Sequence, residues 1–182
     1  MADLRERDSI SAHALEFTIL TAARTSEAIG AKWVEIDLES AVWSIPAERM
    51  KGAKEHEVPL SKRAMAILEA LPRERGGYLF PGARAKAPLS NMAMLELLRG
   101  MRGDGLTVHG FRSTFRDWAG DQTAFAREVI EHALAHRIKD KAEASYRRSA
   151  ALEKRRKLME AWARYCQSTP MKASDNVVAL HG

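Results

Sequence analysis

The chain has 182 residues, 46% of them hydrophobic, and carries 29 Lys and Arg against 24 Asp and Glu, a formal net charge of +5. That length suits one domain with a full core, and a single cysteine, Cys166, excludes an internal disulfide and a multi-cysteine zinc site. No apolar run reaches the length of a membrane span and no stretch reads as a secretory signal, so an intracellular protein is expected.

In chain order, residues 9–30 read as helix, with a break expected at Thr21-Ala22-Ala23-Arg24-Thr25 and Gly30 as a cap. Val34, Ile36 and Leu38 then alternate with Glu35, Asp37 and Glu39, the period of a half-buried strand. A turn at Glu39-Ser40 leads into a second strand at 41–46. A third is expected at 55–61 with Val58 and Leu60 inward, and between the two a loop carries Arg49, Lys51 and Lys54 around Gly52. Helix returns at Ser61, which caps it, and stops before Pro72. A Gly- and Pro-rich loop follows, with Tyr78, Leu79 and Phe80 tucked beneath it, and Ser90 opens a further helix. Thr107 caps the next one. There Val108, Phe111, Phe115 and Trp118 form one apolar face, and His109, Arg112 and Arg116 share another. Residues 123–136 read as an apolar-faced helix, and 139–166 as one or two basic helices with Tyr165 in the core beside Trp162. The fold class is α+β, mainly α-helical, with a small three-stranded antiparallel sheet.

The charge is concentrated. Residues 137–157 hold nine Lys or Arg and three Asp or Glu, a local +6 that leaves the remainder at −1. Such a stretch points to a polyanion, with nucleic acid ahead of an acidic membrane. There is no G-x-x-x-x-G-K-[ST] loop and no G-x-G-x-x-G, and His132 and His136, four apart, lack the glutamate of H-E-x-x-H. Cations and one tyrosine in basic surroundings remain. On a phosphodiester, guanidinium forks neutralise the non-bridging oxygens and a histidine moves a proton near neutrality. A lysine of lowered pKa protonates the departing 5′-oxygen, and a tyrosine hydroxyl attacks phosphorus.

The strings "AARTSEAIG", "MKGAKEHEVPLS", "HGFR", "LAH" and "SYRR" follow one another in that order. The succession, over residues 10–166, resembles the catalytic domain of tyrosine recombinases, the phage-type integrases. The resemblance implies that Arg24 and Arg112 clamp the phosphate and that His109 binds it and assists proton transfer. It gives Lys51, in preference to Lys54, the role of general acid, and His136 a hydrogen bond to the scissile phosphate. Tyr146 is the nucleophile, and Glu27 orients the site. Lys54, Arg116, Arg147 and Arg148 are expected on DNA. The tyrosine recombinase catalytic fold is expected in residues 1–166. Residues 167–182 would be a tail, flexible or docking on a neighbouring subunit, and the family's N-terminal DNA-binding domains would lie outside this sequence. Double-stranded attachment-site DNA is the implied partner, bound by a homo-oligomer that becomes a tetramer in the synapse, in the bacterial cytoplasm at the nucleoid. No metal, other cofactor or membrane is implied. The function is integration or excision of a mobile element through a 3′-phosphotyrosine intermediate. Two alternatives stay open: DNA relaxation of the type IB topoisomerase kind, and a non-catalytic DNA-binding remnant.

Overall fold

A computed structural model describes residues 1–73, 77–84, 86–136 and 148–168, with 148–150 described in backbone only. Tyr146, Arg147 and residues 169–182 of the tail lie outside the described residues, as does the side chain of Arg148. Eight α-helices are described: α1 (Ala2–Arg5), α2 (Ile10–Thr21), α3 (Thr25–Ile29), α4 (Lys62–Ala70), α5 (Ala93–Arg102), α6 (Gly110–Gln122), α7 (Arg127–Ala133) and α8 (Arg148–Gln167). The sheet holds β1 (Ile36–Asp37), β2 (Val42–Ile45) and β3 (His56–Pro59), antiparallel throughout in that order. It is mainly helical with one small three-stranded sheet, as the sequence reading has it.

Helix α2 is the hub. The Ser9 hydroxyl accepts the Ala12 N–H and caps its start, and nine of its twelve residues are buried. A helix apolar nearly all round belongs inside, and its polar side chains find partners there. Thr18 and Thr21 donate to the carbonyls of Ala14 and Phe17, while the Glu16 carboxylate accepts from Arg5 of α1 and Arg63 of α4. The expected break falls at Ala22, which takes a left-handed conformation (φ 49°) and ends α2. Gly30 caps the separate α3 rather than one long helix, and its φ of −84° makes no use of glycine's freedom.

The first strand is shorter than the alternation predicts. Residues Trp33–Glu35 form a 3₁₀ turn, and Val34, expected inward, is 75% exposed. Glu35 is the inward residue, because its carboxylate accepts from the Trp43 indole N–H and from Arg49. A charged pair has displaced the apolar residue from the core face. Beyond it the register runs regularly: Ile36 opposite Trp43, then Trp43 opposite Val58, and Ile45 opposite His56. The turn at Glu39-Ser40 is closed by Asp37, whose carboxylate accepts both of their N–H groups. Val58 and Leu60 are buried as expected.

Ser61 caps α4 as predicted. Ser90 does not open α5; it gives only its carbonyl to Ala93, and the helix starts after Met92. Leu79 and Phe80 are fully buried, whereas Tyr78 is half-exposed with the Lys32 ammonium over its ring. Helix α7 begins at Arg127 rather than 123. Helix α8 crosses α2, and the Trp162 indole donates to the Ile19 carbonyl at 2.8 Å. Around Trp162 gather Phe115, Trp118 and Tyr165. Tyr165, expected in the core, is 42% exposed, with its ring lying on Trp118. Two cations of the basic stretch are spent inside the fold: Arg155 donates to the Glu57 carbonyl of β3, and Arg156 to those of Ser40 and Ala41. Among the described residues no helix is long and apolar enough to cross a membrane.

Candidate active site

Arg24 stands at the start of α3, one turn before Glu27. The Glu27 carboxylate accepts the Arg24 backbone N–H at 2.8 Å and its guanidinium at 2.6 Å, so one acid both caps the helix and aims the cation. Glu27 is buried, 3% exposed, and the Arg24 side chain keeps a quarter of its surface. The acid's position is fixed from behind by Arg49, which donates to its carbonyl.

Arg112 shares a helix face with His109 and Arg116, but while those two are exposed it is only 6% exposed. It is held by backbone rather than by acids, donating to the carbonyls of Ala22 and Leu134. Burial lowers its pKa to about 10, helped by the charge of Arg24 and opposed by Glu27. It therefore stays charged at neutral pH, and three of its five N–H groups have no hydrogen-bond partner among the described residues. The two carbonyls it binds border left-handed alanines: Ala22 itself, and Ala135 (φ 51°) after Leu134.

The second turn builds the rest. Beyond α7 the Ala135 N–H bonds to the His132 carbonyl and the His136 N–H to the Glu131 carbonyl, both at 3.0 Å. With Ala135 left-handed this is a Schellman motif, the position where glycine is usual. It folds His136 back so that its Nδ1 lies 2.6 Å from the Glu131 carboxylate, whose other oxygen accepts Arg116 Nε at 2.9 Å. Burial raises the pKa of Glu131, but the hydrogen bonds from His136 and Arg116 outweigh it and leave it lowered.

Of the residues that the resemblance singles out, the structure brings Arg24, Glu27, Arg112 and the turn ending at His136 together. His109 stands exposed at the start of α6, one turn from Arg112. Lys51 and Lys54 are exposed in the loop joining β2 and β3; Lys51 has no hydrogen bond or ion pair among the described residues. The charge of Lys54 is felt at His132 in α7, whose pKa is lowered by burial first, then Arg155, then Lys54. Arg116, expected on DNA, is paired with Glu131.

Sequence reasoning missed His56, which lines the recess beneath Arg112 together with Glu27 and Ala133. Burial and the charge of Arg155 push it down to about 4, so it is a neutral imidazole at working pH. The signal was present: the alternation that points Val58 and Leu60 inward also points His56 inward. Glu131 was missed because its link to His136 needs the left-handed turn. Arg112 and Glu27 line one recess, with Arg24 paired to Glu27 beside them; guanidiniums are the groups that bind the oxygens of a tetrahedral oxyanion.

Comparison with known proteins gives one consistent picture. Residues 2–153 match the phage integrase family. The chain is 40% identical over 149 residues to the prophage integrase IntA of Escherichia coli K12, covering 80% of this chain and 36% of that protein. It is 34% identical over 171 residues to the integrase of Enterobacteria phage P4, covering 84% and 39%. The chain thus spans well under half the length of these relatives. Among solved structures, the integrase from mycobacterium phage Brujita superposes with a TM-score of 0.65 at 17% identity, over 90% of this chain and 54% of that one. The XerA recombinase does so at 0.56 and 16% identity, over 93% and 60%. At those identities the likeness is one of fold.

Proposed function

Since this chain belongs to the phage integrase family, we propose that it carries the catalytic unit of a site-specific recombinase, in residues 1–166, that cuts and rejoins double-stranded DNA through a 3′-phosphotyrosine bond. The observation that carries the reading is Arg112: a buried guanidinium, fixed by two carbonyls beside Arg24, with donors that no described residue takes up. In the proposed step the Tyr146 hydroxyl attacks the scissile phosphorus and loses its proton, aided by His109. The bond from phosphorus to the 5′-oxygen breaks, and Lys51 protonates that oxygen. Arg24, Arg112 and His136 hold the non-bridging oxygens, on which charge builds in the transition state. Because Glu27 and two backbone carbonyls already hold the cations, little reorganisation is needed when that charge develops. Rejoining is the same step reversed with the 5′-hydroxyl of another strand, so the phosphotyrosine conserves the bond. Assembly as a homo-oligomer on attachment-site DNA, a tetramer in the synapse, belongs to the same proposal.

The test is a covalent trap. The protein is incubated with nicked duplexes that lose their 5′-hydroxyl fragment after cleavage, then run on a denaturing gel. A DNA-shifted band that vanishes with Tyr146→Phe is the expected result. A band that persists in the variant would refute the nucleophile, and none with intact Tyr146 would refute strand cleavage by this chain.

A further inference from the structure

Glu131 has no part in the proposed chemistry, yet three independent contacts converge on it. Its backbone carbonyl accepts the His136 N–H at 3.0 Å, one carboxylate oxygen lies 2.6 Å from His136 Nδ1, and the other accepts Arg116 Nε at 2.9 Å. The first of these is the six-to-one bond of the helix-ending motif, so the backbone itself delivers the imidazole to the carboxylate. The Arg116 contact then stops the carboxylate from turning away. On the opposite side of the same turn, Arg112 holds the carbonyl of Leu134, two residues before His136. The ring is held at one edge by Glu131 and the turn that carries it is held by Arg112, although 41% of the His136 side chain is exposed.

A carboxylate only accepts hydrogen bonds, so the short contact requires a hydrogen on Nδ1. Nε2 is then the ring atom left for a ligand. A phosphate oxygen also accepts only, so the ring meets it with a hydrogen on each nitrogen, Nδ1–H on Glu131 and Nε2–H on the phosphate. The carboxylate favours that doubly protonated ring by its charge and stops it from rotating, whereas an unpartnered histidine is free to turn.

Resting on the function proposed above, we infer that Glu131 is a positioning residue of the strand-cleavage site. It holds the Nδ1–H and orientation of His136 so that a hydrogen carried on Nε2 is aimed at the scissile phosphodiester, and Arg116 serves by holding Glu131 rather than a DNA phosphate.

The experiment has two readouts, so that its failure is separable from that of the recombinase reading. The first needs no activity. In the 182-residue chain with ¹⁵N-labelled histidine, ring nitrogen shifts report which nitrogen carries the hydrogen, with His136 assigned by its loss in His136→Gln. His136 with Nδ1 protonated in the wild type, and a shift towards Nε2–H in Glu131→Ala, is the expected result; Nε2–H alone in both overturns the inference. The second is the rate of phosphotyrosine formation at saturating nicked duplex. Glu131→Ala is expected to slow it about tenfold to a hundredfold, the cost of a misplaced group, with DNA affinity unchanged within about twofold. Glu131→Gln, which keeps an acceptor, restores most of the rate. In a His136→Ala background Glu131→Ala adds nothing further, because the acid acts only through the ring. Equal losses in both backgrounds overturn the inference. Arg116→Ala follows Glu131→Ala in rate; a loss of DNA affinity with a shallower salt dependence would instead return Arg116 to the DNA backbone. Protonated Nδ1 with no adduct from the wild type would refute strand cleavage and leave the Glu131–His136 pair standing.

Discussion

At the scale of the residue, the site is bordered by two left-handed alanines, Ala22 and Ala135. A Cβ in that region meets the neighbouring carbonyl, and the strain persists only where surrounding contacts over-determine it. Here Arg112 supplies them, donating to Ala22 itself and to Leu134, next to Ala135. Ala135→Gly should therefore stabilise the protein by about 1 kcal/mol, since glycine enters this conformation without a clash. A melting temperature that stays put or falls would show that the alanine is not strained. "LAH" announced a histidine of interest. What it did not announce is that its middle residue is the pivot of a helix-ending turn, for φ is a property of the assembled chain. The burial of Arg112 is illegible for the same reason. Spacing put it on a polar face with His109 and Arg116, and on the isolated helix it would be exposed there. Carbonyls from residues 22 and 134, distant in sequence, draw it inside.

Among the elements, α2 was the most legible, because an apolar run opened by a capping serine has few other places to go. The sheet was read correctly at β2 and β3, and only in part at β1, where a buried Glu35 takes the inward place the alternation gave to Val34 and a 3₁₀ turn replaces the strand's start. Buried charge is what binary patterning handles worst, since a charged letter is read as solvent. Glu16 is a second case, 2% exposed inside α2 and tying α1 and α4 to it through Arg5 and Arg63. Burial raises its pKa, but hydrogen bonds and charges from the two arginines win and leave it below the usual 4.5. The folded carboxyl thus binds its proton less readily than the unfolded one. Its stabilisation is complete above pH 4.5 and is lost as the pH falls through the lowered folded value. Glu16→Gln should cost about 2–3 kcal/mol near neutrality, below what breaking a fully buried pair costs because the arginines keep some water. Below pH 4.5 it should lose less stability on further acidification than the wild type. Parallel acid-unfolding curves for the two proteins would contradict this.

For the molecule as a whole, some described cations are already engaged within the fold. Arg155 and Arg156 serve the sheet, and Arg116 pairs with Glu131. On the proposed function, duplex binding should rest on phosphate contacts from the others. With about three of them, affinity should fall roughly fortyfold between 50 and 200 mM salt. A flat response would mean that contacts other than phosphate dominate. The Arg112 bracket has a consequence in time. Its guanidinium needs one carbonyl that leaves the ribosome ninety residues before it and another that follows it by twenty-two. A nascent chain therefore owns every cation of the clamp long before it owns the clamp. Until Leu134 has been made and docked, Arg112 has at most one of its two anchors. On the function proposed above, the ability to cut would arrive last, as a certificate that folding is finished.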